Sequence, residues 1–253
     1  MKPGKLLGIK GIAVLALLLS VSLVWAVPPH TTLTPDQALA QLQMGNTQFV
    51  KGRVLHLTAQ SQPSVRISAG TIGQGPYAVV LGCIDSRVPP EVIFDRGLNE
   101  IFSVRVAGNV IAAHEIGSIE YAVEHVEVPL IVVLGHTKCG AVTSSVDYAL
   151  PFLSAGQAVP EAPVPVPPAI DPGNYINSLV NSLMPSIVVT WDAGIHDRIP
   201  LIEGAITENV KDVAKRLREQ SKIIDELLVA GKVKIVAAEY DVVTGVVTWI
   251  PLP

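Results

Sequence analysis

Two hydrophobic patterns alternate along this chain. Short apolar runs rich in β-branched residues are typical of buried strands, whereas apolar residues at intervals of three and four indicate amphipathic helices. By the first pattern, strands are predicted at residues 77–82, 101–108, 129–135, 232–241 and 246–250. By the second pattern, helices are predicted at residues 34–52, 109–126, 174–190 and 206–230, with short helical segments at 89–95 and from 140 to about 148.

Local start and stop signals support several of these elements. Thr34 is a candidate N-cap, Pro35 suits the first helical position, and Gly231 suits the residue just beyond a helix. The turn at residues 244–245 joins the last two strands closely enough to predict an antiparallel hairpin.

The order of these elements predicts the fold class. Strands that alternate with helices form a mostly parallel sheet. We therefore expect one α/β domain over residues 27–253, with about four parallel strands and a C-terminal antiparallel strand, flanked by helices. Two segments lack either pattern: residues 53–75 are polar and irregular, and residues 149–173, with seven prolines, are predicted to form a long loop. Open sheets of this kind place their functional groups at the carboxyl ends of strands.

The first 26 residues have the pattern of a secretory signal. Lys2, Lys5 and Lys10 precede an uncharged apolar run, and Val24 and Ala26 suit a signal-peptidase site. The run is shorter than the about 20 apolar residues that a spanning helix prefers, and an uncleaved anchor is the alternative. We expect export to a bacterial periplasm or the cell exterior, without stable membrane insertion after cleavage.

The net charge excludes one class of partner. The chain has a formal charge of −4, and removal of the three signal lysines would make it −7. A mildly acidic chain lacks the basic surface with which proteins bind nucleic acid. Nucleic acid is therefore not an expected partner.

The candidate chemistry lies at two predicted strand ends. Cys83 follows the first strand in LGCIDSR, and His136 and Cys139 follow the third in LGHTKCG. The two turns can converge at one edge of the sheet and offer two thiolates and an imidazole, which are good zinc ligands. Three protein ligands leave a fourth position open, as in catalytic zinc sites. A disulfide between the two cysteines, usual in an exported protein, is the alternative.

Asp85 and Arg87 alternate with Cys83 in the same turn. An arginine can hold a carboxylate through two parallel hydrogen bonds, which would keep Asp85 ionised and fixed in direction. Beside an open zinc position, such a carboxylate can accept a proton from zinc-bound water and orient the hydroxide. For an isolated Asp-x-Arg, the alternative is a surface ion pair of little energetic value.

These motifs closely resemble the signature of β-class carbonic anhydrases, a Cys-x-Asp-x-Arg sequence followed by a distant His-x-x-Cys. The resemblance continues through VRVAGN (104–109), GSIEYAV (117–123) and residues 221–245. It covers most of the chain from about residue 34, except the proline-rich loop.

The resemblance implies an enzyme and a role for each matching residue. Zinc would be bound by Cys83, His136 and Cys139, and Asp85 and Arg87 would form the catalytic dyad. The implied reaction is the reversible hydration of carbon dioxide to bicarbonate and a proton by zinc-bound hydroxide.

Further residues match the substrate pocket of that family by local context. The resemblance implies substrate contacts from Gln74, Phe102, Tyr121 and Gly140. Some of these would come from a neighbouring subunit, which implies a homodimer or homotetramer. Without the resemblance, Gln74 and Tyr121 would be surface and packing residues, and Phe102 a core residue. Proton-shuttle candidates, by residue type alone, are His30, His56, His114, His125 and His196.

One position departs from a subgroup of the family. That subgroup has an inhibitory bicarbonate site built from a tryptophan three residues before the first ligand, an arginine and a tyrosine. Arg105 and Tyr240 match the latter two, but Val80 occupies the tryptophan position. We therefore predict that this form of bicarbonate regulation is absent.

Three other functions are alternatives. Relatives of this fold hydrolyse carbon disulfide or carbonyl sulfide with the same metal motif. A non-catalytic zinc scaffold would keep the ligands alone, and retention of Asp85 and Arg87 argues against it. A disulfide-stabilised export protein would bind no metal.

Overall fold

The computed structural model describes residues 31–163 and 175–252. The predicted signal segment at 1–26 and the centre of the proline-rich loop lie outside the described residues. Within the described residues, no helix combines the length and the apolar character that crossing a bilayer requires.

The elements follow the predicted order. The strands are β1 (Ala78–Gly82), β2 (Ile101–Arg105), β3 (Leu130–His136), β4 (Lys234–Tyr240) and β5 (Val247–Ile250). The helices are α1 (Pro35–Val50), α2 (His56–Ala59), α3 (Pro63–Ile72), α4 (Pro90–Ile93), α5 (Ala113–Glu124), α6 (Gly140–Ser154), α7 (Ile176–Asp192), α8 (Arg198–Gln220) and α9 (Lys222–Val229). The N-cap predicted at Thr34 is present, since its hydroxyl accepts the backbone N–H of Gln37.

One five-stranded sheet organises the fold, in the order β2-β1-β3-β4-β5. The pairs β1–β2, β1–β3 and β3–β4 are parallel, and β5 is antiparallel to β4. This confirms the predicted fold class. Gly82 at the end of β1 is in register with Arg105 of β2 and Leu134 of β3. The turns that leave these strands therefore begin at one edge of the sheet.

The alternation of side chains along the strands divides the core between the two faces of the sheet. Val79 and Leu81 of β1 pack in one apolar cluster with residues of α5, α8 and α9. Ala78 and Val80 of the same strand pack in another cluster with residues of α1 and α4. All four side chains are fully buried, as expected of a sheet covered on both faces.

The prediction that residues 53–75 are irregular was wrong, because they contain α2 and α3. The first turn of α2 is capped from a distant position. The carboxylate of Asp95 accepts the backbone N–H groups of His56 at 3.3 Å and Leu57 at 2.8 Å. A cap contributed by a residue 38 positions away leaves no signal in the local sequence.

The single helix predicted at 206–230 was also wrong in its bounds. The structure has α8 and α9 there, separated at Ser221, and α8 begins earlier. Ser221 has an extended backbone, and its hydroxyl accepts the backbone N–H of Ile224 and donates to Glu120. Ser221 therefore ends one helix and caps the next.

The short helix predicted to end near residue 148 is longer in the structure. α6 continues through Pro151 to Ser154. Leu150 and Leu153, on either side of the proline, pack against the same apolar cluster as Val142 and Val146 of this helix, and this packing offsets the cost of an internal proline. The proline-rich loop consequently starts later than predicted.

Candidate metal centre

Three potential metal ligands meet at the carboxyl edge of the sheet. Cys83 follows β1, while His136 ends β3 and Cys139 follows it by three residues. Their ligand atoms all lie within 4.8 Å of one another, and all three side chains are buried. The convergence expected from two adjacent strand ends is therefore present.

The imidazole of His136 has one nitrogen engaged and one nitrogen free. Nδ1 lies 2.9 Å from the carbonyl oxygen of Thr137. A carbonyl oxygen can only accept, so Nδ1 carries the proton and Nε2 carries the lone pair. Nε2 is buried and has no hydrogen-bond partner among the residues that the structure describes. A buried acceptor without a partner is costly, and a metal ion would satisfy it.

Both cysteines are free. A hydrogen bond from Cys139, opposed by burial, holds the pKa of the Cys83 thiol well below its ordinary value. The same hydrogen bond, together with burial, raises the pKa of Cys139. The sulfur of Cys83 also accepts the backbone N–H of Gly108 at 3.3 Å. The hydrogen bond between the sulfurs therefore favours the thiolate form of Cys83, and a thiolate is the form that binds metals.

The side chain of Arg87 donates hydrogen bonds to both oxygens of the Asp85 carboxylate. Nε donates to Oδ1 at 2.9 Å and Nη2 donates to Oδ2 at 2.7 Å. The backbone N–H of Arg87 also donates to Oδ1 at 2.9 Å. These bonds, opposed by partial burial, hold the pKa of Asp85 well below its usual range. The carboxylate is therefore ionised and fixed in direction.

Arg87 also connects the two turns of the site. Its Nη2 donates to the carbonyl oxygen of Lys138 at 3.3 Å. Lys138 lies between His136 and Cys139 and has a positive φ of 58°. The Asp85–Arg87 pair is thereby linked to the second turn that carries metal-ligand candidates.

The residues predicted to contact substrate fall into two places. Gly140 is the first residue of α6 and directly follows Cys139. Phe102 and Tyr121 line a groove of about 620 Å³ between β2 and α5. Gln74 extends this groove, because its Nε2 donates to the Tyr121 hydroxyl at 3.2 Å.

The groove and the metal cluster are separate within one chain. Ser103, His114 and Gly117 also line the groove, whereas none of the three metal-ligand candidates is among its described lining residues. Tyr121 is half exposed, at 50 % of its maximal area. The groove and the metal-ligand candidates therefore do not line one shared pocket within the described residues of a single chain.

The sequence did not identify two residues that support the cluster. Gly108 donates to the Cys83 sulfur, and Asn209 of α8 donates from Nδ2 to the Gly108 carbonyl at 2.8 Å. The matching stretch VRVAGN was a signal for Gly108, but nothing in the sequence linked Asn209 to the site. Arg105 was considered for a bicarbonate site, and here its guanidinium donates to the carbonyl oxygens of Cys83 and Asp85.

The described histidines other than His136 have contacts that do not single out a proton shuttle. His56 is bonded to Glu100 at 2.7 Å, and the ring of His196 lies 4.2 Å from that of Trp191. His114 lines the groove, and the ring of His125 lies beside that of Tyr121. His30 lies outside the described residues.

A parallel α/β sheet with a buried Cys-His-Cys group beside an Asp–Arg pair at its carboxyl edge defines a candidate metal-dependent enzyme. Comparison with known sequences gives the family. A sequence model described as carbonic anhydrase matches residues 78–247. Carbonic anhydrase 2 of Mycobacterium tuberculosis is 36% identical over 217 residues, covering 86% of this chain and 92% of that protein. A carbonic anhydrase of Mycolicibacterium smegmatis is 38% identical over 211 residues, covering 83% and 91%.

Solved structures show the same fold at lower identity. The β-carbonic anhydrase CcaA matches with a TM-score of 0.61 at 22% identity, covering 84% of this chain and 95% of that one. A β-carbonic anhydrase of Sordaria macrospora, described as tetrameric, matches with a TM-score of 0.59 at 20% identity, covering 76% and 89%. This chain therefore belongs to the carbonic anhydrase family, in its β class, as the motifs indicated.

Proposed function

We propose that this protein catalyses the reversible hydration of carbon dioxide to bicarbonate and a proton, with zinc as its metal. One observation carries the proposal: in a chain of the carbonic anhydrase family, the buried group of Cys83, His136 and Cys139 lies beside a fixed Asp85–Arg87 pair.

The donor set fits zinc. Zinc prefers sulfur and nitrogen ligands in a tetrahedral arrangement, and the cluster offers two sulfurs and one imidazole. The Thr137 carbonyl selects the tautomer of His136 that leaves Nε2 free to bind a metal. The thiolate form of Cys83 is already favoured at neutral pH. Cys83, His136 and Cys139 are thus the proposed ligands.

When held by three protein ligands, zinc supplies an open coordination position and lowers the pKa of water there toward neutrality. Asp85 is proposed to accept a hydrogen bond from the reacting water and so to direct its lone pair toward carbon dioxide. Because Arg87 keeps Asp85 ionised, the carboxylate is an acceptor throughout the physiological pH range. The same two bonds prevent the carboxylate from turning away.

Substrate contacts are proposed for Gln74, Phe102, Tyr121 and Gly140. Since the groove lined by Phe102 and Tyr121 is separate from the cluster, a second copy of the chain is needed to bring such a groove to a metal centre. Strand β2 forms one edge of the sheet and α3 buries none of its residues, so both leave surface for a partner. A homodimer or homotetramer is therefore proposed, and light scattering on the purified protein measures it.

The activity is tested by stopped-flow hydration of carbon dioxide with a pH indicator, on protein of measured zinc content. Asp85→Ala should keep its zinc and lose about 100-fold or more in kcat, the range typical of a positioned acid–base group. Asp147→Ala is a matched control, because Asp147 is held by Arg198 through the same two-bond geometry on the surface. Zinc-loaded wild-type protein that hydrates no carbon dioxide would refute the proposal.

The same preparation distinguishes the alternative functions. Parallel assays on carbonyl sulfide and carbon disulfide would detect hydrolysis of either gas in place of carbon dioxide hydration. Two free thiols in metal-stripped, denatured and unreduced protein are expected, whereas no free thiol would support the disulfide alternative.

Export is proposed from the first 26 residues alone. Cleavage after Ala26 would leave a mature protein that begins at Val27. N-terminal sequencing of the protein from its native cell measures this, and an intact N-terminus in a membrane fraction would instead indicate an anchor.

A further inference from the structure

Arg105, at the end of β2, is bonded to the turn that carries the proposed dyad. Its Nε donates to the carbonyl oxygen of Cys83 at 3.0 Å, and its Nη2 donates to the carbonyl oxygen of Asp85 at 2.7 Å. The Asp85 carbonyl also accepts the backbone N–H of Val88 at 2.9 Å, which closes the turn. A planar guanidinium that spans two carbonyls two residues apart fixes the orientation of both peptide groups.

The segment that follows Arg105 holds the same turn at further points. The backbone N–H of Val106 donates to the carbonyl oxygen of Gly82 at 3.0 Å. The backbone N–H of Gly108 donates to the Cys83 sulfur, and the carbonyl of Gly108 is held in turn by Asn209 of α8. The turn is therefore attached to the end of β2, to the segment that follows β2 and, through Gly108, to the buried Asn209 of α8.

The bonds between Asp85 and Arg87 do not supply this attachment. Asp85 and Arg87 are two residues apart in one turn, so the bonds between them fix each relative to the other but not relative to the sheet. In addition to the bonds made by Gly82 and Cys83, Arg87 donates to the Lys138 carbonyl at 3.3 Å, and the Asp85 carbonyl accepts the shorter bond from Arg105 at 2.7 Å. Both bonds come from a charged guanidinium, and the one from Arg105 is shorter by 0.6 Å, so it holds the main chain of the turn more closely.

We infer that Arg105 is a positioning residue that sets the direction of the Asp85 carboxylate through the main chain of the turn. Because Asp85 and Arg87 are the proposed dyad, this role rests on the proposed function. Arg105 acts through Asp85 and touches main-chain oxygens, so it is distinct from both the metal ligands and the substrate contacts.

Two substitutions of Arg105 test this role. Arg105→Ala removes both bonds, and Arg105→Lys keeps the positive charge but has no planar fork with which to span two carbonyls. Arg198→Ala is the matched control, because that arginine also makes two bonds but to a surface carboxylate. For each zinc-loaded variant, the measurements are zinc content, carbon dioxide hydration and amide hydrogen exchange at Arg87 and Val88.

Both Arg105 variants should retain zinc and lose about 10- to 100-fold in kcat/KM, the scale expected when a reacting group is displaced by about 1 Å. Exchange at the Val88 amide should accelerate, because its acceptor is the Asp85 carbonyl. Millimolar guanidinium should restore part of the activity of Arg105→Ala and none of that of Asp85→Ala. A protein that was merely destabilised would not gain activity from a denaturing ion. Arg198→Ala should match the wild type in all measurements.

Several results would overturn the role of Arg105. Full activity and unchanged amide hydrogen exchange in both variants would show that the other bonds of the turn fix its main chain without Arg105. Full activity in Arg105→Lys would show that charge alone suffices, and zinc loss from folded variants would place the effect at the ligands. If Arg105→Ala does not fold, Arg105→Gln replaces it in the comparison with lysine. Wild-type protein that binds zinc without hydrating carbon dioxide would refute the proposed function, while the exchange data would still decide whether Arg105 holds the turn.

Discussion

Gly135 allows α8 to approach the strand that carries a proposed zinc ligand. It precedes His136 at the end of β3. A Cβ atom placed on Gly135 would lie 2.6 Å from Cγ1 of Val210 and 3.5 Å from Cγ2 of Ile206, both on α8. The first distance is a severe overlap, so Gly135→Ala must displace the Val210 side chain, the helix or the end of the strand. A valine on a helix has one strongly preferred rotamer, so rotation of its side chain is also costly.

Gly82 provides a matched control for this substitution. It also ends its strand directly before a proposed ligand, Cys83. A Cβ atom on Gly82 would have only ordinary contacts, with the carbonyl oxygen of Leu134 at 3.9 Å and Cγ of Pro90 at 4.0 Å. Alanine is favoured over glycine within strands by roughly 0.5–1 kcal/mol, so Gly82→Ala should preserve or raise the free energy of unfolding.

The expected loss for Gly135→Ala follows from overpacking. Forcing an extra methyl group into a filled core typically costs about 1–3 kcal/mol in the free energy of unfolding. Val210→Ala alone should also destabilise, by about 1.6 kcal/mol for two buried carbon groups, plus a cavity contribution. In the double variant, the new methyl group occupies space that Val210 has vacated. The combined loss should therefore be smaller than the sum by at least about 1 kcal/mol.

Urea denaturation of the zinc-loaded variants measures these differences, and transfer of zinc to a chelator measures the effect on the ligands. Gly135→Ala should release zinc faster than Gly82→Ala, because the displaced strand end carries His136. Equal stability of the two glycine variants would refute the reasoning. So would a double variant in which the two losses simply add, since the clash with Val210 would then not be the cause.

Three further predictions concern the ionisation of Asp85, the oxidation of the two cysteines and the bonds that hold the main chain around Gln74. Bonds to a guanidinium lower the pKa of Asp85 in the folded protein. The ionised carboxylate therefore stabilises the fold above the unfolded pKa of about 4, and this contribution is lost at lower pH. The difference in the free energy of unfolding between wild type and Asp85→Asn should be constant from pH 6 to 8 and shrink in acid. Apoprotein should oxidise in air to a Cys83–Cys139 disulfide while zinc-loaded protein does not, as followed by thiol titration, and equal oxidation rates would contradict this. Asn99 has a positive φ of 69°, which glycine adopts readily, and its side chain is bonded to the main chain on either side of Gln74. Asn99→Gly removes these bonds and should raise KM severalfold with little change in kcat. An unchanged KM would argue against a substrate role for Gln74.

The sequence by itself determined the sheet and the identity of the metal-ligand candidates. Buried parallel strands must be apolar on both faces, so β1 and β3 were visible as uninterrupted β-branched runs. A residue that follows such a run is placed at the carboxyl edge of the sheet without further information. The pattern of apolar runs therefore predicts that Cys83, His136 and Cys139 lie close together.

Only the tertiary structure decided the features that depend on contacts between distant segments. The cap of α2 comes from Asp95, the break at Ser221 is bonded to Glu120, and the main chain of the dyad turn is held by Arg105 from the neighbouring strand. The position of the Tyr121 groove relative to the metal cluster likewise depends on how distant segments pack. A hydrogen bond between residues far apart in the chain depends on how the elements pack, and neither local propensity nor hydrophobic period records it.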